Sequence, residues 1–220
     1  MAYSLWLPKR SPAPGGVLIL HGAGSCKESH HDFARAVQAA GLAALAFDQR
    51  GHGASEGQMG GEVLEDIAHM AALLRSHLPG DAIALRGSSM GGCLSILAAP
   101  DIAPVAVVAI CPASTGGMRR WLQAGDVPFR ADTAALDSLL ARVDLPEAIA
   151  SCHAPLLLLH AEGDEQVPVQ HSRELATHMR SPDSRLITLP GGHHRSIQHD
   201  PELQAVSLRF IEKAVAAGPS

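Results

Sequence analysis

The sequence predicts an α/β protein with a mostly parallel sheet and helices on both faces. Short apolar runs at 17–20, 42–47, 82–85, 105–110 and 156–159 show no alternation of polar and apolar residues, so each must be covered on both faces. Between them lie segments whose apolar residues recur at three- and four-residue steps, the period of an amphipathic helix. The residues able to do chemistry, among them His21, Asp48, Ser89, Asp164 and His194, all follow the ends of predicted strands. In open parallel sheets that is where ligands collect.

Taken in order, a short lead-in is closed by a rigid turn at 12–16, and 17–20 is a buried strand ending in His21-Gly22-Ala23-Gly24. Ser29 is the predicted cap of a helix running to about Ala40, with Phe33, Ala36 and Val37 on one face and Gly41 as its stop. The strand at 42–47 leads into Asp48-Gln49-Arg50-Gly51-His52-Gly53. A helix over about 61–77 carries Val63, Ile67, Met70, Ala71 and Leu74 on one side, and Pro79-Gly80 ends it. After the strand at 105–110, the interval 113–152 breaks the alternation with Gly116-Gly117, Gly125 and Pro128. One modest helix near 133–142 is expected there, in a small cap-like insertion on a single domain. The strand at 156–159 runs into His160-Ala161-Glu162-Gly163-Asp164. A helix with Pro168 in its first turn, a short strand at 185–189, the loop Pro190 to His194 and a closing helix from Pro201 complete the chain.

The composition excludes several functions. With 17 Lys plus Arg against 22 Asp plus Glu and a net charge of −5, the chain has no basic block for nucleic acid or an anionic membrane surface. The N-terminus lacks a signal-peptide pattern and no apolar run is long enough to span a bilayer, so a soluble, cytoplasmic protein is expected. The 4 cysteines, Cys26, Cys93, Cys111 and Cys152, show no C-x-x-C pairing and are read as reduced thiols, mostly buried. The histidines at 30, 31, 193, 194 and 199 lack the spacing of a zinc site, so neither a metal nor a cofactor is expected.

The segment Gly87-Ser88-Ser89-Met90-Gly91-Gly92 joins an apolar strand to a helical run resuming at Leu94, Ile96 and Leu97. In the frame Gly87-x-Ser89-x-Gly91, the serine occupies the apex of a sharp turn where larger flanking residues would collide with neighbouring backbone. Gly53-Ala54-Ser55-Glu56-Gly57 satisfies the same frame, but Gln58, Met59, Gly60 and Gly61 follow it and no helix does. Ser55 is therefore read as a loop residue.

A serine hydroxyl needs a base within reach and a third group to orient that base. Ser89, Asp164 and His194 supply them in the chain order serine, acid, histidine. Together with HGAG at 21–24, DQRGHGAS at 48–55, GSSMGG at 87–92, EGDEQVP at 162–168 and GGHH at 191–194, this resembles the α/β-hydrolase superfamily over nearly the whole chain. The Lys27-Glu28 pair adds a weaker resemblance to the compact feruloyl or cinnamoyl esterases.

The resemblance implies Ser89 as nucleophile, Asp164 as acid and His194 as base, with an oxyanion hole from the Ala23 and Met90 amides. A G-x-x-H spacing selects His194, whereas G-G-H selects His193; Glu165 competes with Asp164 for the acid. The implied reaction is cleavage of carboxylic esters of small to medium acyl groups, the partner being a small-molecule ester, with oligomeric state left open. A thioesterase or an aminopeptidase-like amide hydrolase would use the same triad, and a binding module that kept the fold without the chemistry is the non-enzyme alternative. Because the insertion is short for a lid, an open pocket is expected, with Met118, Trp121 and Phe129 either lining it or packing the insertion onto the body. His21, Asp48, Arg50 and His52 are read as residues that tie loops together.

Overall fold

The computed structural model describes residues 1–9 and 12–218, so residues 10 and 11 of the lead-in lie outside it. The continuous apolar runs become strands buried along their length: β2 (Gly16–Leu20), β3 (Ala43–Phe47), β4 (Ile83–Ser88), β5 (Ala106–Ile110) and β6 (Leu156–Ala161). With β1 (Tyr3–Trp6) and β7 (Arg185–Leu189), they form a sheet of order β1-β3-β2-β4-β5-β6-β7, parallel except for β1.

Eight α-helices accompany them among the described residues: α1 (His31–Ala39), α2 (Val63–Arg75), α3 (Met90–Ile102), α4 (Thr115–Ala124), α5 (Thr133–Leu140), α6 (Leu145–Ser151), α7 (Val169–Ala176) and α8 (Pro201–Ala217). Strand side chains alternate between two cores. Leu18, Leu20, Leu45, Phe47, Ile83, Leu85 and Leu158 pack with α2, α3 and α6 on one face. Val17, Ile19, Ala44, Ala46, Ala84, Val108 and Leu159 pack with Phe33 and Val37 of α1 and with Ile211 and Val215 of α8 on the other. No helix among the described residues is long and apolar enough to cross a membrane.

The chain departs from its sequence reading in several places. The lead-in contains β1, an edge strand only partly buried and therefore without a continuous apolar run; it pairs antiparallel with β3. Ser29 caps no helix. It lies in a 3-10 turn (Lys27–His30), where its hydroxyl donates to the Cys26 carbonyl, and α1 starts after His30 without a side-chain cap. The interval 113–152 holds three helices in place of one. Gly116 and Gly117 stand inside the first turn of α4, where Ser114 Oγ accepts from the Gly117 amide at 3.0 Å. Asp144 caps α6, accepting from the Glu147 amide at 2.9 Å, with proline in the first turn. Pro168 sits at the cap of α7, one residue before the helix.

Candidate active site

Ser89 lies between β4 and α3 with φ +53° and ψ −117°, a backbone conformation that L-residues rarely adopt. The turn is over-determined: the Ser89 amide donates to the Ile110 carbonyl at 2.8 Å, and the Ser89 carbonyl accepts from the amides of Cys93 and Ala113. Glycine is obligatory on both sides. A β-carbon at Gly87 would overlap the Gly91 carbonyl, and one at Gly91 would overlap the carbonyls of Leu20 and His21. Met90 opens α3, so its amide belongs to the first turn, whose donors have no intrahelical acceptor, and the helix dipole favours negative charge there.

Asp164 follows β6 in a tight turn. Its Oδ1 accepts from the amides of Gln166 (2.8 Å) and Val167 (2.9 Å), and its Oδ2 accepts from His194 Nδ1 at 2.6 Å. Burial works to raise the carboxyl, but the Val167 amide, His194 and the Gln166 amide outweigh it and hold Asp164 below its ordinary value. An ionised partner fixes the Nδ1–H tautomer of His194 and leaves Nε2 as the basic nitrogen. His194, and not His193, reaches the acid. His193 is exposed and turns back on its own loop, its amide bonded to Ser196 Oγ and its Nδ1 accepting from the Arg195 amide. Glu165 meets the His194 amide, at 3.4 Å, and not the imidazole.

A supporting residue carried no signal in the sequence beyond its place at a strand end. His160, fully buried, accepts from Ser172 at Nδ1 (2.7 Å) and donates from Nε2 to the Val167 carbonyl (2.8 Å), with Asp164 Oδ2 3.4 Å away. Burial lowers its pKa, which favours the neutral ring, and its bonds brace the acid turn. Cys111, His160 and Asp164 bring donor atoms within 4.8 Å of one another. Burial pushes the Cys111 thiol up to about 12, and the other two are committed to the bonds just described, so this is not a set of free metal ligands.

Two cavities meet at Ser89. One, of about 300 Å³, is bounded by Ala23, Ser89, Met90, Met118, Trp121, Leu122, Phe129 and Leu136, so α4 and α5 form its wall. The other, of about 350 Å³, is more polar and is bounded by Gly22, Ser89, His194, Arg195 and Gln198. Ala23, Trp121 and Gln166 border both. Met118, Trp121 and Phe129 line the apolar cavity and also pack the excursion onto the body: Trp121 meets the edge of Phe129 at 6.1 Å, and Phe129 stacks on His52 at 4.4 Å.

The other loop residues are structural. His21 accepts the Gln49 amide at Nε2 and bonds its own turn through Nδ1 to the Gly22 carbonyl; burial lowers its pKa to about 4. Asp48 accepts from Lys27 Nζ (2.8 Å), the Lys27 amide (2.7 Å) and the Ala54 amide (2.9 Å). Arg50 makes a two-point ion pair with Asp66. Ser55 is buried, its hydroxyl donating to the Asp48 carbonyl and accepting the Ala2 amide.

A family model described as serine aminopeptidase, S33, matches residues 11–127, more than half of the chain. The chain belongs to this family of α/β hydrolases. It is similar to a monoacylglycerol lipase of Mycolicibacterium smegmatis, 27% identical over 94% of this chain and 89% of that one. Among solved structures, the monoacylglycerol lipase of Paleococcus ferrophilus superposes with TM-score 0.74 at 21% identity, covering 98% of both chains. Est1E of Butyrivibrio proteoclasticus, with ferulic acid bound, superposes with TM-score 0.75 at 21% identity over 98% of this chain and 94% of that one. These two structures establish the α/β-hydrolase fold. The family's motifs at 21–24, 48–55 and 87–92 fall inside the matched region, whereas Asp164 and His194 lie beyond it.

Proposed function

We propose that this hydrolase cleaves carboxylic esters of small to medium acyl groups through an acyl-enzyme on Ser89. The observation that carries the reading is the 2.6 Å bond from His194 Nδ1 to Asp164 Oδ2, on a histidine that borders the same cleft as Ser89. His194 Nε2 takes the Ser89 proton as Oγ attacks the ester carbonyl, and returns it to the departing alkoxide. Asp164 holds the imidazole and stabilises the imidazolium; it does not take the proton. The amides of Ala23 and Met90 receive the oxyanion, each such donor being worth about 3 to 4 kcal/mol. Water then attacks the acyl-enzyme by the same steps, and the acid leaves.

The apolar cavity is the proposed acyl site. Met118, Trp121, Leu122, Phe129 and Leu136 give it an apolar lining suited to an acyl chain, and the short excursion that forms its wall favours medium over long chains. The polar cleft beside His194 receives the alcohol. The similar proteins named as lipases and an esterase support ester substrates. Amide cleavage by an aminopeptidase calls for a carboxylate to anchor the substrate ammonium, and no Asp or Glu lines either cavity among the described residues.

The test is intact-mass labelling with a fluorophosphonate on wild type and Ser89→Ala, followed by p-nitrophenyl esters from acetate to palmitate. One adduct per chain, lost in Ser89→Ala, with rates highest at intermediate chain length, is expected. No adduct on folded wild type overturns the mechanism.

A further inference from the structure

Among the described residues, Arg86 is the largest fully buried side chain, on β4 three residues before Ser89, and it forms no salt bridge there. A guanidinium taken out of water without a counter-ion is a liability for stability. Its Nε has no hydrogen-bond partner among the described residues, and burial lowers its pKa to about 10 against the opposing pull of the Asp32 carboxylate. What it does contact is specific. It lies 3.9 Å from the centre of the Phe33 ring, Nη1 meets His30 Nδ1 at 3.4 Å, and Nη2 donates to the Gln198 carbonyl at 3.2 Å.

Gln198 belongs to the loop between β7 and α8 that carries His194, and that loop is tied to β4 through it. Ser88 Oγ donates to Gln198 Oε1 at 2.9 Å, and Gln198 Nε2 donates to the Ser29 carbonyl at 3.2 Å. Gln204 of α8 donates both to the Gln198 carbonyl (3.1 Å) and to Asp32 (2.7 Å), which also pairs with His199. The residue immediately before Ser89 and the residue two before that thus both grip Gln198, four residues after His194. The strand bearing the proposed nucleophile and the loop bearing the proposed base are hydrogen-bonded together at Gln198.

We infer that Arg86 is a positioning residue: through the Gln198 carbonyl, its buried guanidinium fixes the His194 loop against β4 and sets His194 relative to Ser89. The inference rests on the esterase reading above. It accounts for a buried cation that among the described residues has no carboxylate in direct contact, Asp32 acting on it only through space, since the arginine serves alignment at the expense of stability. A displacement of about 1 Å between reacting groups can cost on the order of 100-fold in rate, so a clamp of this kind is worth its unfavourable burial.

The test compares Arg86→Met, Gln198→Ala and their double variant with wild type, by fluorophosphonate labelling rate, by kcat and KM on the best p-nitrophenyl ester, and by Tm. Arg86→Met keeps apolar contact with Phe33 and removes the charge, while Gln204 still serves the Gln198 carbonyl. It is expected to lower labelling rate and kcat by about 10- to 100-fold, with KM unchanged and Tm unchanged or higher. Gln198→Ala is expected to lower kcat in the same way. The double variant is expected to lose less than the product of the two singles, because both release one loop.

Wild-type labelling and kcat in Arg86→Met overturn the inference. If Arg86→Met fails to fold, Arg86→Lys decides in its place, since it keeps a buried cation and loses the fork that reaches the Gln198 carbonyl. Unchanged kcat then overturns the inference, and a fall in kcat with unchanged KM and Tm supports it. Gln198→Ala, which leaves the carbonyl in place, reports only on the side-chain bonds to Ser88 and Ser29. Failure of the wild type to label removes the esterase reading itself and is thereby distinguishable from failure of the clamp.

Discussion

The chain contains the frame G-x-S-x-G twice, around Ser55 and around Ser89, and the two have opposite fates. Ser89 stands where a strand ends and a helix begins, at positive φ, and borders two cavities. Ser55 sits in an irregular loop after β3, buried, with its hydroxyl spent on Asp48 and Ala2. The glycines differ in the same sense. Gly87 and Gly91 are required by backbone passing at close quarters, whereas Gly53 makes room for the Asp48 carboxylate. A motif of five residues therefore sets a serine at the apex of a strained turn, open to a cavity, only when the strand and helix flanking it force that turn.

The largest expected effect sets the two serines apart. Ser89→Ala is expected to lower kcat by on the order of 10⁶-fold and to abolish labelling, whereas Ser55→Ala labels at the wild-type rate; an adduct that persists in Ser89→Ala and vanishes in Ser55→Ala would reverse the comparison.

Next come two buried carboxylates, Asp164 beside His194 and Asp48 in the loop of Ser55. Asp164→Asn is expected to reduce kcat by about 10⁴-fold with little change in KM, because the amide favours the wrong His194 tautomer. Asp48→Asn disrupts the pairing with Lys27 and is expected to lower stability by about 3 kcal/mol while leaving kcat in place. Denaturant melts and steady-state kinetics on both variants separate the roles; comparable kinetic damage from both would erase the distinction.

The third effect concerns pH. An unfolded histidine binds a proton below its ordinary 6.5, whereas buried His21 resists until about 4. Between those values the unfolded chain carries the extra proton, so stability rises with pH through that window. Acidification from 6.5 to 4 is expected to remove about 3 kcal/mol from this group alone. His21→Gln should flatten the dependence of Tm on pH there. Some slope will remain, because burial also lowers the pKa of His30, His52, His160 and His171. An unchanged slope would show that His21 is already protonated in the native state.

The smallest effect is the stability loss in Ser55→Ala, about 1 to 3 kcal/mol for buried partners left unsatisfied, read as a lower denaturant midpoint at constant kcat. A neutral result would mean that the Asp48 carbonyl and Ala2 amide find other partners, leaving Ser55 as inert as its loop is irregular.

The sequence by itself determined the sheet and the order of its parallel strands' chemistry. Runs such as 17–20 and 105–110 have no polar face, and only a strand covered on both sides accommodates them. It also singled out Ser89 over Ser55, because the helical period resumes after Gly92 and not after Gly57. Asp144-Leu145-Pro146-Glu147 held the signal for α6, unread beside the glycines and proline of the excursion. The edge strand β1 and the helix α4 were not legible. The first gains its order from pairing with β3, and the second tolerates Gly116 and Gly117 because Ser114 caps it and Met118 and Leu122 are buried. Only the tertiary structure shows which of His193 and His194 meets Asp164: adjacent side chains in a loop point different ways, and His194 reaches the carboxylate from 30 residues away. Arg86 is of the same kind. In the sequence it is one polar residue ending an apolar run; its partners lie 56 and 112 residues distant, and contacts at such separations are set by how the chain closes rather than by any local pattern.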